Sequence, residues 1–370
     1  MVYNNLVTII SRRDKLRKKG LKSFSKILVA SIIAISTVSC GEKQVENIEF
    51  GKDVLHVYSW AEYIPSEVFE GFEKETGIKI MEDIYSTNEE MFTKLKAGAT
   101  GYDLVLPSPD YVEIMMKENM LEKIDKSKIS TFDNLDKNIL KRLSEFDPNN
   151  EYTVPYAVSA TLIVVNTKYV KDYPRDYSIY ERNDLKGRMT LLDDMREVLG
   201  SGLLMSGYSQ TTDDENAFKK AEEKIKSWKK NIAKFDSESF GKNFASEDFL
   251  VVQGYGENIY MELTEEQRKY TDFIVPEKGG LFSLDSFVIL KTAPNKDAAH
   301  KFIEYIHRPE VYALVADYLV LPSINVPARK LTEEKPLFNV DDLKRCELLR
   351  DTTATLSLQN KYWEKIKGGF

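Results

Sequence analysis

The sequence sets aromatic rings and carboxylates at the ends of short apolar runs that have the composition of buried strands. These residues are Trp60 and Tyr63 at the end of DVLHVYSW, Ser108 and Asp110 after YDLVL, Asp193, Asp194 and Glu197 after RMTLL, Tyr255 and Glu257 after FLVV, and Asp285 within GLFSLDSF. In open α/β sheets, ligands bind beyond the carboxyl ends of strands, where loops converge. Ring faces attract ammonium groups, and carboxylates accept charge-assisted hydrogen bonds from them. The pattern therefore predicts a site for a small organic cation.

Several of these residues also have an ordinary structural interpretation. Trp60 on its own fits core packing as well as ligand contact, and Asp110 is compatible with a surface turn. Asp193 is expected to cap the helix that DDMREV begins, because an aspartate before the first helical turn accepts backbone N–H groups. The ligand interpretation is favoured because Trp60 occurs together with Tyr63, Tyr255 and the acids.

The segments that would position these residues alternate between strand and helix patterns. Residues 53–60 and 78–86 are predicted as strands, with a helix over 64–77 between them. A helix over 88–98 and a strand over 102–108 follow. Strand, helix, strand, helix, strand is the order that builds a parallel sheet with helices on both faces.

The same alternation continues through the second half of the chain. Strands are predicted over 153–166, 188–194, 249–256, 272–276 and 280–290, with helices over 213–231 and 296–319, the last interrupted at Pro309. The sequence contains neither an internal repeat nor a low-complexity linker, so two α/β lobes joined by strand-like hinges are expected. Residues 53–160 with 284–329 are assigned to lobe 1, and residues 161–283 with 330–370 to lobe 2.

The N-terminal 39 residues have the pattern of an export signal. They contain eight basic residues and one acidic residue, and end in the uncharged run ILVASIIAISTVS. Such a run is shorter than the roughly 20 apolar residues that span a bilayer. Cys40 follows the small Ser39 and precedes the polar segment GEKQVEN, although Thr37 makes STVSC a relaxed form of a lipoprotein signal. We expect an exported, periplasmic protein with residues 40–52 as a tether, anchored to a membrane through acylated Cys40.

The charge and cysteine content narrow the class of partner. Beyond residue 39 the chain has 44 basic and 58 acidic residues, a net charge of −14, which argues against nucleic acid and fits either a cationic ligand or a solvated acidic surface. Cys346 is the second cysteine, so acylation of Cys40 would leave no disulfide. The three histidines form no cluster with cysteine, His56 is expected to be structural, and no metal or other cofactor is predicted.

Beyond these local patterns, much of the sequence resembles a known protein family. The motifs HVYSWAEYIP, FEKETGIKI, NEEMFTKLKAG, YDLVLPS, LEKIDKSKISTFDNLD, FDPNNEYTVPYAVSAT, LLDDMREVLG, PEKGGLFSLDS and VPARKL are similar, in that order, to the substrate-binding proteins of spermidine/putrescine ABC transporters. The resemblance runs from about Val54 to Arg329. It implies a monomer with a two-lobed type II periplasmic-binding-protein fold, whose cleft closes on one polyamine and which then docks on a transmembrane permease. The sequence has no GxxxxGK[ST] motif, so ATP hydrolysis is left to a separate subunit.

The resemblance also implies a set of ligand contacts. It transfers to Trp60, Tyr63, Ser108, Asp194, Glu197, Ser237, Tyr255 and Asp285, with Asp110 as an additional acid. Asp194 and Glu197 would hold one end of the ligand, Asp285 would lie near its middle, and the three rings would surround the methylenes. The family pattern has a tryptophan at Ser283, a tyrosine at Leu321, a glutamine at Leu349 and a tyrosine at Asp110, so the choice between spermidine and putrescine stays open.

Two other functions remain as alternatives. The first is an enzyme, for example a glycosidase with two of these carboxylates as acid and base, but GYSQT lacks the closing glycine of GxSxG and GYGENI falls short of GxGxxG. The second is a surface lipoprotein that binds another small cation or an amino acid, or that contacts another protein. The substitutions at Ser283, Leu321 and Leu349 are what such a change of ligand would produce.

Overall fold

The computed structural model describes residues 53–368, and in this range the strands form one mixed sheet system. The strands are β1 (Val54–Trp60), β2 (Lys79–Tyr85), β3 (Leu104–Val105), β4 (Val154–Asn166), β5 (Met189–Leu191), β6 (Ile232–Phe235), β7 (Val251–Tyr255), β8 (Thr271–Ile274), β9 (Leu281–Ile289) and β10 (Glu347–Leu348). Their order across the sheet is β2-β1-β3-β9-β4-β7-β5-β6, with β8 paired to β4 and β10 paired to β9.

The helices of the described range pack on both sides of these strands. They are α1 (Ser66–Thr76), α2 (Asn88–Lys96), α3 (Pro109–Lys117), α4 (Lys137–Leu143), α5 (Met195–Met205), α6 (Glu215–Lys229), α7 (Phe240–Ala245), α8 (Gly256–Glu262), α9 (Glu265–Arg268), α10 (Lys296–Ile306), α11 (Pro309–Leu319) and α12 (Leu356–Lys367). Short 3₁₀ turns connect several of them. Between residues 53 and 368, no helix is long and apolar enough to cross a membrane.

The local signals in the sequence explain where these helices begin, end and bury their faces. Helix α1 starts after Pro65, buries Val68 and Phe72, and ends at Gly77, whose φ of +75° is the left-handed conformation that glycine adopts without a steric penalty. Helix α6 buries the four predicted residues Phe218, Ala221, Ile225 and Trp228. Helices α10 and α11 are separated at Pro309, as predicted.

The sheet is parallel at its ends and antiparallel at its centre. Strand β1 pairs in parallel with β2 and β3, which confirms the predicted βαβ order of this part of the chain. Strands β5, β6 and β7 are also parallel neighbours, whereas β9 runs antiparallel to both β3 and β4. The α/β class with a mixed sheet and flanking helices is therefore confirmed.

Two hydrophobic cores form around this sheet, and the long strand β4 contributes to both. The first core contains β1, β3 and helices α1, α10 and α11, and the second contains β5 with helices α5, α6 and α12. Near the end of β4, Leu162 and Val164 belong to the first core, whereas Ile163 and Val165 belong to the second. Successive strand residues face opposite sides, so this one strand connects the two cores directly.

Candidate ligand-binding site

Two aromatic rings stand side by side where β1 and β2 end. Trp60 and Tyr85 are register neighbours, with ring centroids 4.5 Å apart. Both donate a hydrogen bond to the carbonyl of Leu106, Trp60 through Nε1 at 3.0 Å and Tyr85 through its hydroxyl at 2.5 Å. Tyr85 was not predicted, although the rule that selected Trp60, a ring at the carboxyl end of a strand, applies to it equally.

Tyr63 reaches the central acid of the site. After Trp60 the chain turns at Glu62, which has a φ of +53°, and the Tyr63 hydroxyl then donates to Asp285 Oδ2 at 2.7 Å. The hydroxyl of Tyr156 donates to the Tyr63 carbonyl at 2.7 Å and so fixes this turn. Asp285 also accepts from Ser283 Oγ at 2.5 Å and is 8% exposed. Burial disfavours its charged form and raises the pKa of Asp285 to about 6.

A second pair of acids begins helix α5. Asp194 caps the helix, since its Oδ1 accepts the backbone N–H groups of Arg196 at 2.9 Å and Glu197 at 3.0 Å. The Glu197 side chain is 2% exposed and accepts from Thr161 Oγ1 at 2.7 Å, with the Tyr255 hydroxyl 3.5 Å away. Burial, together with the charge of Asp194, raises the pKa of Glu197 to about 8. We call Asp194 and Glu197 the helix acids.

The prediction that Asp193 caps this helix is wrong. Asp193 is exposed, and its Oδ1 pairs with Lys367 Nζ of α12 at 2.6 Å. The helix begins at Met195, so the residue immediately before it is Asp194 and not Asp193. Asp194 therefore combines the capping role with a place beside Glu197.

Strand β4 arranges these groups along one line. Across the sheet, Ala157 faces Asp285, Ser159 faces Ser283, and Thr161 faces Tyr255. Directly opposed residues of paired strands project to the same face of the sheet, and so does every second residue along one strand. All six side chains therefore project from the same side of the sheet. We call this line the polar stripe. From Ala157 to Thr161 it runs roughly 13 Å at about 3.3 Å per residue, with Asp285 at one end and Thr161, the partner of Glu197, at the other.

Glu257 adds a further carboxylate near Asp285. It lies in the first turn of α8, directly after β7. Burial is the main cause that raises the pKa of Glu257 to about 7, and the charge of Asp285 adds to it. We call Asp285 and Glu257 the inner acids. The sequence placed Glu257 at a strand end but gave it no ligand contact, because the family pattern did not include it.

Ser108 and Asp110 form part of a separate network at the start of α3. The Asn88 side-chain amide donates to Ser108 Oγ at 2.7 Å, and Ser108 Oγ in turn donates to Asp110 Oδ1. The other carboxylate oxygen of Asp110 pairs with Arg196 Nη1 of α5. Asp110 thus stays a prediction as a ligand contact, and an arginine of the protein itself already partners its charge.

The remaining predicted positions are more varied. Ser237 is exposed in the loop after β6 and stays a prediction as a ligand contact. Three further positions differ from the family pattern, which has rings or an amide there. Ser283 is buried and donates to Asp285, and Leu321 is also buried. At the third position, the backbone N–H of Leu349 donates to Phe282 O at 2.9 Å. His56 is buried within β1, in agreement with a structural role.

Taken together, these groups suit a positively charged organic ligand. Buried carboxylates with raised pKa values are costly to ionise unless a cation lies beside them. The rings of Trp60, Tyr63 and Tyr255 supply flat apolar surface next to the acids. Within residues 53–368, no cluster of three or more histidine, cysteine, aspartate or glutamate residues is arranged to hold a metal ion.

Comparison with known proteins agrees with this chemistry. Residues 67–336 match the family model of bacterial extracellular solute-binding proteins. The chain is 36% identical over 327 residues to the spermidine/putrescine-binding periplasmic protein of Escherichia coli strain K12, covering 86% of this chain and 92% of that protein. It is 30% identical to the putrescine-binding periplasmic protein SpuD of Pseudomonas aeruginosa, covering 94% of this chain and all of that protein (100%).

The fold is also found among solved structures. The crystal structure of the TpPotD lipoprotein of Treponema pallidum superimposes with a TM-score of 0.82 at 39% identity, covering 85% of this chain and 99% of the other. This similarity confirms the predicted type II solute-binding-protein fold, and the family match favours a binding protein over the enzyme alternative. The chain belongs to the bacterial extracellular solute-binding protein family.

Proposed function

We propose that this protein is the substrate-binding component of an ABC transporter, which captures a polyamine and delivers it to a transmembrane permease. The observation that carries the proposal is the polar stripe, which sets the helix acids and the inner acids at two separate positions beside aromatic rings. A polyamine has ammonium groups separated by methylenes, so its charges match the acids and its methylenes match the rings. The names of the relatives in Escherichia coli and Pseudomonas aeruginosa point to the same ligand class.

Within this proposal the ligand contacts are those predicted from the sequence, without Asp110, whose charge Arg196 already pairs with, and with two additions. Trp60, Tyr63 and Tyr255 would face the methylenes, and Asp194, Glu197 and Asp285 would accept hydrogen bonds from the ammonium groups. Ser108 and Ser237 are kept as lesser contacts. Tyr85, which packs on Trp60, and Glu257, which lies near Asp285, join the set because of where the structure places them.

Ligand capture would proceed by closure of two lobes around the site. We propose residues 53–160 with 284–329 as one lobe and residues 161–283 with 330–370 as the other. The second hydrophobic core lies wholly within the second of these ranges, which supports the division, although the first core also includes Phe240 and Ile259 from that range. A ligand favours closure to the extent that it contacts the closed state better than the open one.

The N-terminal part of the proposal concerns residues outside the described range. We propose that residues 1–39 direct export and that acylated Cys40 anchors the protein at a membrane, where it meets its permease. The basic and apolar pattern of this segment supports the proposal, as does the similarity to a lipoprotein of Treponema pallidum. Replacement Cys40→Ser should move the exported protein from the membrane fraction to the soluble fraction, and an unchanged distribution would contradict the anchor.

Calorimetric titration of the purified protein tests the ligand. Putrescine, spermidine and spermine are titrated separately, followed by a panel of amino acids. We expect saturable binding of at least one polyamine with one molecule bound per chain, and no heat from the amino acids. Saturable binding of an amino acid, with no response to any polyamine, would overturn the proposed ligand class.

A further inference from the structure

Arg196 is a basic side chain that the structure places among the acids of the site. Its guanidinium pairs with Asp110, and its backbone N–H donates to Asp194 Oδ1 at 2.9 Å. The ring of Tyr111 lies 5.6 Å from the guanidinium carbon, within the range of a cation–π contact. Because an arginine stays protonated at every physiological pH, a fixed positive charge is part of the site before any ligand arrives.

The position of this charge is held by a connected network. Asp110 is nearly buried, with 8% of its side chain exposed. Ser108 Oγ donates to its second oxygen, and Asn88 in turn donates to Ser108 Oγ. Arg196 belongs to helix α5, which packs in the second core, whereas Asp110 belongs to helix α3, which packs in the first. The ion pair therefore connects a helix of the first core to a helix of the second.

The acids of the site consequently fall into three groups, of which one is already neutralised. Asp285 lies at one end of the polar stripe, and Thr161, which donates to Glu197, lies at the other, roughly 13 Å away along β4. The backbone N–H of Ser286 donates to the carbonyl of Pro107 at 3.4 Å, which brings the start of α3 close to Asp285, and Arg196 already pairs with Asp110 there. A ligand whose ammonium group approaches Asp110 meets a guanidinium group instead of a free carboxylate.

We propose that Arg196 acts as an internal cation that takes the place of a third ammonium group, so that the site binds a diamine in preference to a triamine. This inference rests on the proposed function and specifies its ligand. Two acid groups remain for two ammonium groups, and the fixed positive charge repels a third. Asp110 is then a partner of Arg196 and not a contact of the ligand.

The unaltered protein provides the first test. Putrescine and spermidine are titrated into it under identical buffer and salt conditions. We expect putrescine to bind at least about tenfold more tightly. Equal or tighter binding of spermidine would overturn this inference and leave the proposed function intact, whereas binding of neither would overturn both.

The variant Arg196→Gln tests the role of the charge itself. Without the arginine charge, Asp110 becomes available to an ammonium group of the ligand. We therefore expect the affinity for spermidine relative to putrescine to rise about tenfold. The double variant Asp110→Asn/Arg196→Gln removes the acid as well and should not show this gain. The ligand-induced rise in Tm is measured beside the affinity, so that a less stable variant still reports which amine it prefers.

A matched control comes from another arginine–carboxylate pair. Arg308, immediately before α11, makes two 2.8 Å hydrogen bonds to Glu75 of α1 on the protein surface. Replacement Arg308→Gln should leave the ratio of the two affinities unchanged. An Arg196→Gln protein that folds and keeps the ratio of the unaltered protein would overturn the inference, and so would the same gain in the double variant.

Discussion

Asp285 is the carboxylate expected to lie near the middle of the bound ligand. Tyr63 and Ser283 already donate one hydrogen bond each to its two oxygens, and its charge is the remaining feature that an ammonium group can use. A charge-assisted hydrogen bond contributes roughly 1.5–3 kcal/mol. The neutral replacement Asp285→Asn should therefore weaken polyamine binding by about ten- to a hundredfold, measured by calorimetric titration.

A control acid separates this effect from a general loss of negative charge. Asp297 lies on the surface, where its carboxylate pairs with Lys128 at 2.7 Å. Replacement Asp297→Asn should leave the polyamine affinity as it is. If Asp285→Asn folds with a normal Tm and also binds normally, Asp285 is not a ligand contact.

The raised pKa values of three acids predict how the ligand-free protein responds to pH. The pKa rises from 3.8 to about 6 for Asp285, and from 4.5 to about 7 for Glu257 and about 8 for Glu197, in each case mainly through burial. At a pH between the unfolded-state pKa and the folded-state pKa of each acid, the folded state binds more protons than the unfolded state. The free energy of unfolding therefore falls as pH rises from about 4 to about 8.

Thermal unfolding followed by circular dichroism measures this dependence. We expect the Tm of the ligand-free protein to fall across the window, and a bound polyamine to reduce the fall because it stabilises the ionised acids. The fall above about pH 7 should nearly vanish in Glu197→Gln, since Glu197 has the highest of the three pKa values. A ligand-free Tm that is flat or that rises through this range would contradict the assignment of buried, protonated acids.

At this scale the sequence predicted residue types better than their partners. Trp60, Tyr63, Asp194 and Asp285 could be proposed as ligand contacts because strand ends and family motifs are local patterns. The pairing of Asp110 with Arg196 could not, because these residues are 86 positions apart and meet through the packing of two helices. Local spacing carries no information about such a contact.

Helix α5 gives the site its second pair of acids, and the geometry of its first turn can be tested directly. Asparagine caps a helix about as well as aspartate but carries no charge. Asp194→Asn should keep the free energy of unfolding within about 0.5 kcal/mol while weakening polyamine binding, whereas Asp194→Ala should also lose the cap, at a cost of about 1 kcal/mol.

Chemical denaturation and calorimetric titration of both variants separate the two effects. Replacement Asp214→Ala, at the N-cap of α6, removes a comparable cap far along the chain from the site and should lower stability without changing affinity. Equal polyamine affinity in the unaltered protein and in Asp194→Asn would exclude Asp194 as a charge that the ligand uses.

Among the elements, long and strongly patterned segments were predicted and short ones were missed. Strand β4 and helix α6 have clear periodicity, and both were found where expected. Helix α3 was missed because Pro107 and Asp110 suggested a strand end and a turn, although Pro109 at its first position is a helix signal. Strand β6 has four residues, too few to distinguish its pattern from a loop.

At the scale of the whole molecule, the two hydrophobic cores and the strand β4 that they share predict a change of shape on ligand binding. Small-angle X-ray scattering should give a smaller radius of gyration with saturating putrescine than without it, because a ligand between the lobes favours the closed state. The Asp285→Asn protein at the same putrescine concentration provides the control and should remain closer to the ligand-free curve. Superimposable curves for the unaltered protein with and without bound ligand would argue against closure.

The shared strand β4 also limits how this protein can diverge. A single inserted or deleted residue near its middle would turn Ser159 and Thr161 toward the side that Leu162 and Val164 occupy, and would bring apolar side chains to the ligand. Point substitutions along the strand leave this alternation intact. New ligand preferences in descendants of this chain should therefore arise by exchange of individual side chains, while the length of β4 stays constant.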